Sequence, residues 1–303
     1  MFLHIFSKNV NFACRCQYSM IQFEKSTKRK EGKQMKAKKI LTVQDLSCYG
    51  QCSLTVALPI LSALKIETIA LPTAVLSTHT MFPSFVVKDL TDQILPFKKH
   101  WEQQNISFDA LYTGYMASAD QIDKVLKLKT LLNKDGITIV DPAMADNGKL
   151  YVGFDESIIK GMKKLCKNAD VILPNITEAC FLTGTEFKEN YDKEYILSLM
   201  EKLSKICPVC VITGVKFDDK QLGVAYFDGK ETKFCFEKLQ PKFYHGTGDI
   251  FASVFAGNYI KDKNLAKSCK NACKFVAESI KDTLDDQDHF YGVHFENNLC
   301  KLK

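Results

Sequence analysis

The sequence predicts an α/β fold in which a mostly parallel sheet is covered by helices on both faces. Short runs rich in β-branched residues alternate with longer amphipathic segments, and the alternation repeats five times. Most of the short runs are apolar throughout, as strands buried on both faces require. After residue 39 the sequence has no internal repeat and no linker rich in Pro, Gly and Ser. These observations predict one layered domain.

Each element can be placed in order along the chain. Apolar runs predict six strands, over residues 40–43, 68–71, 110–113, 137–140, 171–173 and 209–213. Amphipathic segments predict helices between them, over residues 53–64, 84–101, 119–133, 156–168 and 191–206. Residues 220–236 break the pattern, because two alternating runs flank Asp228-Gly229, a signature of a β-hairpin turn. Two helices, over 249–259 and 264–279, complete the predicted fold.

The positive net charge is concentrated at the start of the chain. The 303 residues include 41 Lys and Arg against 35 Asp and Glu, a formal net charge of +6. Residues 1–39 hold ten basic and two acidic residues, so the other 264 residues carry 31 basic and 33 acidic groups. A nearly neutral body argues against a surface built to bind nucleic acid.

We therefore expect a basic leader over residues 1–38 and one folded domain over residues 39–303. The leader is interpreted as a disordered tail, a targeting segment, or sequence upstream of a true start at Met35. The sequence contains no run of 18 apolar residues, so it predicts no membrane span. Twelve scattered cysteines are typical of reduced, cytoplasmic proteins.

Two cysteine pairs have spacings that also occur in metal or redox sites. Cys207 and Cys210 form a CxxC motif, but Cys210 runs directly into an apolar strand. Cys269 and Cys273 lie four residues apart on a predicted helix. Because no further Cys or His completes a tetrahedral set, packing is the favoured interpretation for both pairs.

Polar residues follow each predicted strand. Ligands of open α/β sheets bind beyond the carboxyl ends of the strands. The residues there are Gln44-Asp45, Ser77-Thr78-His79-Thr80, Gly114-Tyr115, Asp141-Pro142 with Asp146, Asn175 with Glu178, and Gly214. Six such groups around one edge favour a binding site over a solvated edge.

The segment His245-Gly246-Thr247-Gly248-Asp249 precedes an apolar helical run. Two glycines beside Thr247 would expose backbone N–H groups at the positive end of a helix, which is an anion hole. The alternative is an ordinary capped helix, in which Thr247 or Asp249 satisfies the first-turn N–H groups. No GxxxxGK[ST] motif occurs, so the segment is not a Walker P-loop.

Phosphoryl transfer would explain the combination. The acceptor hydroxyl needs a base, and the moving phosphoryl group needs N–H donors. With Asp249 at the mouth of the anion hole, the base and the N–H donors would lie within one turn of the chain. Asp141, Asp146 and Glu178 could hold Mg²⁺ through its waters.

The motifs of the sequence resemble those of a known family. Gly246-Thr247-Gly248-Asp249 resembles the signature of ribokinase-like kinases, and the other motifs resemble the vitamin B6 kinases. Those motifs are Gln44, Ser77-Thr78-His79-Thr80, Thr113-Gly114-Tyr115, residues 141–146 (DPAMAD) with Tyr151-Val152, residues 173–178 (LPNITE), and residues 211–214 (VITG). They run in family order from about residue 39 to 280.

The resemblance implies a ribokinase-like three-layer αβα sandwich without a separate lid domain, and a role for each matching residue. Asp249 would be the catalytic base, with Gly246, Thr247 and Gly248 stabilising the transferred phosphoryl group. The other implied roles are contact with the pyridine ring (Asp45, Thr80, Tyr115), ATP binding (Asp141, Asn175, Glu178, Thr213, Gly214), metal binding (Asp141, Glu178) and a closing lid (Asp146, Tyr151).

The same resemblance implies ATP and a B6 vitamer as substrates, with phosphorylation at the 5′-hydroxymethyl group. It implies Mg²⁺, together with K⁺ or another monovalent cation. It also implies a homodimer in the cytoplasm, with no nucleic-acid or membrane partner.

Several residues depart from the B6-kinase pattern or have two interpretations. Asp45 stands where familiar members have Ser, which could favour pyridoxamine or another cationic substrate. Cys48 and Cys52 could meet an aldehyde substrate, although small buried residues at a helix start are the favoured interpretation. His245 could touch phosphate or bond to backbone, and His79 is interpreted as support for Thr80.

Three alternatives remain open. A hydroxymethylpyrimidine kinase typically carries Cys at the position of Asp249, so it is disfavoured. A sugar or nucleoside kinase usually inserts a small β-lid after its first strand, whereas helix signals here begin within about ten residues of Val43. The non-enzyme alternative is a catalytically idle B6-vitamer binder, against which the intact Asp249 argues.

Overall fold

A computed structural model of the protein describes residues 37–302. The leader predicted over residues 1–38 lies outside the described residues, apart from residues 37 and 38. The strands are β1 (Lys39–Tyr49), β2 (Glu67–Thr78), β3 (Val87–Asp89), β4 (Phe108–Thr113), β5 (Leu132–Val140), β6 (Ala145–Asp146), β7 (Lys149–Leu150), β8 (Val171–Ile172), β9 (Val209–Val215), β10 (Gln221–Phe227) and β11 (Thr232–Lys238). The helices are α1 (Leu54–Ala63), α2 (Ile94–Gln103), α3 (Ala119–Leu126), α4 (Glu156–Lys167), α5 (Ile176–Thr183), α6 (Lys193–Ser204), α7 (Thr247–Asp262) and α8 (Leu265–Thr283).

The central sheet confirms the predicted topology. Its strand order is β11-β10-β9-β8-β5-β4-β1-β2-β3. Every pair from β9 through β2 is parallel, whereas β10 and β11 at one edge and β3 at the other pair antiparallel. The turn between β10 and β11 contains Asp228 and Gly229, as the sequence predicts. Because the six central strands are parallel, their carboxyl ends meet at one edge of the sheet.

Alternating side chains on the strands build two apolar cores, one on each face of the sheet. Ile40 and its neighbour Leu41 point to opposite faces and belong to different cores. Helices α1, α7 and α8 cover the Ile40 face, and α2 to α6 cover the Leu41 face. The result is the three-layer αβα sandwich that the sequence resemblance implies. Among residues 37–302, no helix combines the length and the apolar character that crossing a membrane would require.

The helix predicted over residues 84–101 is wrong in its first half. Residues 87–89 form the edge strand β3, and α2 begins only at Ile94. The cause is the long strand β2, which offers an unpaired edge to the β-branched Val86-Val87 segment. Ser77 donates its backbone N–H to the carbonyl oxygen of Val86 at 2.9 Å. A local helix pattern therefore loses to tertiary strand pairing.

Helix α5 was not predicted, although the sequence contains its start signal. The side chain of Asn175 accepts the N–H of Glu178, and the Glu178 carboxylate accepts the N–H of Asn175. This reciprocal pair is a capping box, recognisable as N-x-x-E. With only eight residues, α5 is too short for a clear apolar period.

Candidate active site

A cavity of about 1040 Å³ opens at the carboxyl ends of the parallel strands. Eleven of the fourteen predicted site residues line it: Asp141, Asp146, Tyr151, Asn175, Glu178, Thr213, Gly214, Gly246, Thr247, Gly248 and Asp249. They come from five separate segments, which the parallel topology brings to one edge. Asp45, Thr80 and Tyr115 are not among the residues that line this cavity.

The start of α7 has the geometry of an anion hole. The residue before its first turn is Gly246, and no side chain caps the helix. The Thr247 hydroxyl donates instead to the carbonyl oxygen of Tyr244 at 3.2 Å. The first-turn N–H groups therefore face the cavity without a side-chain acceptor. This geometry favours the anion-hole interpretation over the capped helix.

Gly246 is required by two features of the turn. Its φ of +80° lies in the left-handed region, which side chains disfavour. A Cβ placed on Gly246 would lie 2.0 Å from the carbonyl oxygen of Gln51. The turn that presents the N–H groups therefore depends on close backbone contact with the loop after β1.

Asp249, in the first turn of α7, has the properties of a general base. Burial, and secondarily the nearby Asp45 carboxylate, raise the pKa of its carboxyl to about 7. The backbone N–H of Ser53 partly opposes these effects on the pKa. A base is most effective when its pKa lies near the working pH.

Two further carboxylates face the cavity. Burial raises the pKa of both Asp141 and Glu178, and the charges of Glu178 and Asp249 raise the pKa of Asp141 further. Among residues 37–302, no side chain donates a hydrogen bond or forms an ion pair with Asp141. A half-buried carboxylate without a partner, beside other acids, fits a cation that would neutralise it.

Asn175 and Glu178 also have a structural role. One Glu178 oxygen accepts the N–H of Met144 at 3.0 Å, and the other accepts the N–H of Asn175 at 2.9 Å. Asn175 donates its amide N–H to the carbonyl oxygen of Ala145 at 2.8 Å. Together they fix residues 144–146 beside the cavity, because the oxygens of Glu178 and the amide of Asn175 hold backbone groups.

The small hairpin of β6 and β7 carries the predicted lid residues. Asp146 is exposed on the hairpin, and Tyr151 directly follows it. Burial and the Glu178 and Asp141 carboxylates raise the pKa of Tyr151, so its hydroxyl lies near these two carboxylates. Gly148 anchors the hairpin tip by donating its N–H to the Thr177 hydroxyl at 3.0 Å.

Asp45 lies in β1, where the pairing of β1 with β2 is irregular, and its charge acts on Asp249. The side chain is only 5% exposed, and its two oxygens accept the hydroxyls of Ser47 at 3.1 Å and Ser53 at 2.5 Å. Burial raises the pKa of Asp45, and these hydroxyls lower it in part. The sequence analysis did not identify either serine: Ser47 lies near the end of β1, and Ser53 directly precedes α1.

The other two predicted ring contacts differ in their surroundings. Tyr115 stacks on Phe154, with ring centroids 5.5 Å apart. Burial, and secondarily the charge of Asp45, raise the pKa of Tyr115. Tyr115 and Asp45 therefore lie close together. Thr80, by contrast, is exposed.

The rings of the two histidines near the site, His79 and His245, contact each other at a tilt of 32°, with centroids 4.5 Å apart. Burial, and secondarily His79, lowers the pKa of His245 to about 4, so its ring is neutral near pH 7. His79 donates to the carbonyl oxygen of Tyr291 at 2.9 Å and accepts the N–H of Met81. Neither ring supplies a fixed positive charge for phosphate, and His79 orders the 79–81 turn.

The loop cysteines differ in accessibility. Cys52 is buried, and burial with the Asp249 and Asp45 charges raises the pKa of its thiol. A protonated, buried thiol is a poor nucleophile, so packing is the better interpretation for Cys52. Cys48 is exposed. Cys207 and Cys210 are both buried, with Cys210 inside β9.

One wall of the cavity was missed by sequence analysis. Four side chains of α8 face the cavity at helical spacing: Cys273, Val276, Ala277 and Ile280. Val224 of β10 and Phe251 of α7 continue this apolar surface. The spacing is visible in the sequence, but an apolar helix stripe predicts core packing equally well.

Comparison with known proteins identifies relatives along most of the chain. Residues 60–294 match the sequence family described as phosphomethylpyrimidine kinase. Pyridoxal kinase of Dictyostelium discoideum is 28% identical over 264 residues, covering 81% of this chain and 86% of the relative.

Solved structures agree with that match. Pyridoxal kinase from Lactobacillus plantarum is 33% identical, with a TM-score of 0.81 over 88% of this chain and 97% of that chain. A Bacteroides thetaiotaomicron protein crystallised with pyridoxal, whose name assigns it to the phosphomethylpyrimidine kinases, is 35% identical. Its TM-score is 0.83 over 88% of this chain and 96% of that chain.

Proposed function

The chain belongs to the phosphomethylpyrimidine kinase family of ribokinase-like kinases, and from this premise we propose that it is a B6-vitamer kinase. It transfers the γ-phosphoryl group of ATP to the 5′-hydroxymethyl group of pyridoxal, pyridoxamine or pyridoxine. The relatives named as pyridoxal kinases support this substrate class.

One observation carries the proposal: a carboxylate with a pKa of about 7 lies within the first turn of an uncapped helix start. Asp249 takes the proton from the substrate hydroxyl. The N–H groups of Thr247 and Gly248 stabilise the negative charge of the phosphoryl group as it moves. The base and the N–H donors are consecutive residues in the first turn of one helix, which fixes their relative position.

The two substrates occupy different parts of the site. The apolar wall of α8 and β10 suits the adenine ring, and Thr213 with Gly214 contacts the nucleotide. The vitamer ring lies against Asp45 and Tyr115. The β6–β7 hairpin, with Asp146 and Tyr151, closes over the phosphates and excludes water.

Asp141 is the residue that fits a Mg²⁺ ion accompanying ATP, because its carboxylate has no side-chain partner among residues 37–302. Mg²⁺ supplies positive charge that neutralises the phosphate oxygens. Glu178 lies on the same side of the cavity and fixes residues 144–146. A monovalent cation, a homodimer and a cytoplasmic location are also part of the proposal, supported by family resemblance and, for the location, by free thiols.

Activity should rise with pH through neutrality. Because burial raises the pKa of Asp249 to about 7, the base is protonated below that pH and ionised above it. We expect kcat/KM to fall about tenfold per pH unit well below pH 7 and to level off above it. Steady-state kinetics are measured in parallel with pyridoxine and pyridoxal, whose own groups titrate differently. A pH dependence common to both substrates then belongs to the enzyme. A profile flat across neutrality with both substrates would contradict Asp249 as the base.

A direct phosphorylation assay tests the proposal. Purified protein is incubated with ATP and Mg²⁺ and, in turn, pyridoxal, pyridoxine, pyridoxamine and hydroxymethylpyrimidine. We expect turnover of at least one B6 vitamer with stoichiometric ADP release. Turnover of none of the four, with vitamer binding intact by calorimetry, would favour the idle binder.

The second candidate function is hydroxymethylpyrimidine phosphorylation. The matched sequence family carries a pyrimidine-kinase description, which favours it. Asp249 disfavours it, because the pyrimidine kinases typically have Cys there. A kcat/KM for hydroxymethylpyrimidine above that of every B6 vitamer would reverse the assignment.

A further inference from the structure

Three metal-ligand side chains meet in the segment after α8, outside the residues that line the cavity. The ligand atoms of Asp286, His289 and His294 all lie within 4.8 Å of one another. His294 Nε2 is 2.9 Å from Asp286 Oδ2, and His289 Nδ1 is 4.0 Å from the same oxygen. The ring centroids of the two histidines are 3.8 Å apart.

The hydrogen bonds of Gln51 fix the tautomer of His289. Gln51 Nε2 donates to Glu296 Oε1 at 2.6 Å, so the amide oxygen is the atom that faces His289. That oxygen lies 2.8 Å from His289 Nε2 and can only accept, which places the ring proton on Nε2. In the neutral ring Nδ1 then carries a lone pair directed at the cluster.

That lone pair lacks a donor. Within the part of the chain that the structure describes, Nδ1 of His289 has no hydrogen-bond donor, and Asp286 Oδ2 is itself an acceptor. The side chain of His289 is buried, with 7% of its surface exposed, so bulk water has little access to the ring. An ion pair between Asp286 and His294 alone would leave this acceptor unsatisfied.

We propose that Asp286, His289 and His294 form a binding site for one Zn²⁺ ion, with water at the fourth position. Two imidazole nitrogens and one carboxylate oxygen are a donor set that suits Zn²⁺, whereas Mg²⁺ and Ca²⁺ prefer oxygen. A histidine ligand whose other nitrogen donates to a polar acceptor is the usual arrangement around zinc, and Gln51 supplies that acceptor. The site is independent of the proposed kinase activity.

The ion would have a structural effect next to the active site. Gln51 donates its backbone N–H to the carbonyl oxygen of Tyr291 at 3.2 Å, and His79 donates to the same oxygen. The carbonyl oxygen of Gln51 in turn packs against Gly246. Zinc therefore fastens the C-terminal segment to the loop that backs the anion hole.

Calorimetric titration of chelator-treated protein with ZnCl₂ tests the site. Free thiols elsewhere can also bind zinc, so the readout is the difference between wild type and variants. We expect the wild type to bind one equivalent more than His294→Gln and Asp286→Asn, whose affinity at this site falls roughly 100-fold or more. His100→Gln, at an exposed histidine on α2, is the matched control and should bind like the wild type. Thermal melts without metal establish that each variant is folded.

Two further measurements sharpen the test. Co²⁺ in place of Zn²⁺ should give the visible absorption of a tetrahedral centre in the wild type and lose it in His294→Gln. Gln51→Ala should keep the stoichiometry but weaken the site about tenfold, because Gln51 orients His289. Equal zinc binding by wild type, His294→Gln and Asp286→Asn, or no binding by the wild type, would overturn the proposal.

Discussion

Replacing Asp249 by Asn is expected to lower kcat at least ~100-fold while the KM for the vitamer stays near the wild-type value. Asn has the shape of Asp but cannot accept the hydroxyl proton. The rate loss therefore falls on the chemical step and not on binding. Steady-state kinetics with ATP, Mg²⁺ and a B6 vitamer measure both constants, and calorimetry measures vitamer binding directly.

The same variant should lose the acidic limb of the pH profile, since Asp249 is the group whose pKa lies at about 7. Asp262→Asn is the matched control, because Asp262 is exposed at the other end of α7 and pairs with Lys267. Its turnover should stay near that of the wild type. Near-normal turnover in Asp249→Asn would place the base elsewhere.

Stability gives an internal check on the fold of this variant. The carboxyl of Asp249 has a higher pKa in the folded protein than its ordinary value, so at pH 8 its ionised form opposes folding. Removing that charge should leave the melting temperature at pH 8 equal or higher. A loss of activity with unchanged or increased stability would show that the substitution impairs the chemical step and not the folding of the protein.

The parts of the site that sequence reasoning found share one property: their signal is local. Residues 245–249 carry the turn, the helix start and the base within five positions, so a short pattern predicts all three. Asp141, Asn175 and Gly214 were singled out because each follows the end of a predicted apolar strand, and parallel topology gathers such positions at one edge; Thr213 came from the family resemblance.

The missed parts depend on partners far away in the chain. Strand β3 forms because β2 offers an edge, and no pattern within residues 84–89 indicates that edge. The bond from His289 to Gln51 spans 238 positions, so neither residue signals the other. Tertiary contacts of this kind determine structure without leaving a local sequence signal.

Gly246→Ala is expected to lower kcat about 100-fold or more and to destabilise the fold. Alanine at a φ of +80° costs ~1–2 kcal/mol from backbone strain alone. Its Cβ would also lie 2.0 Å from the carbonyl oxygen of Gln51, a backbone atom that cannot move without the loop. The turn must therefore shift, and the N–H donors of Thr247 and Gly248 move with it, which removes the stabilisation of the phosphoryl group.

Gly229→Ala separates strain from displacement. Gly229 has a φ of +91°, but a Cβ there would meet nothing within 4 Å. Backbone strain should therefore lower the free energy of unfolding of this control by a similar amount, measured by chemical denaturation. Its turnover should stay near the wild-type value. If Gly246→Ala also kept its turnover, the anion hole could not depend on the contact between Gly246 and Gln51. If only Gly246→Ala loses activity, the close backbone approach itself positions the donors, and the loop after β1 becomes part of the catalytic machinery.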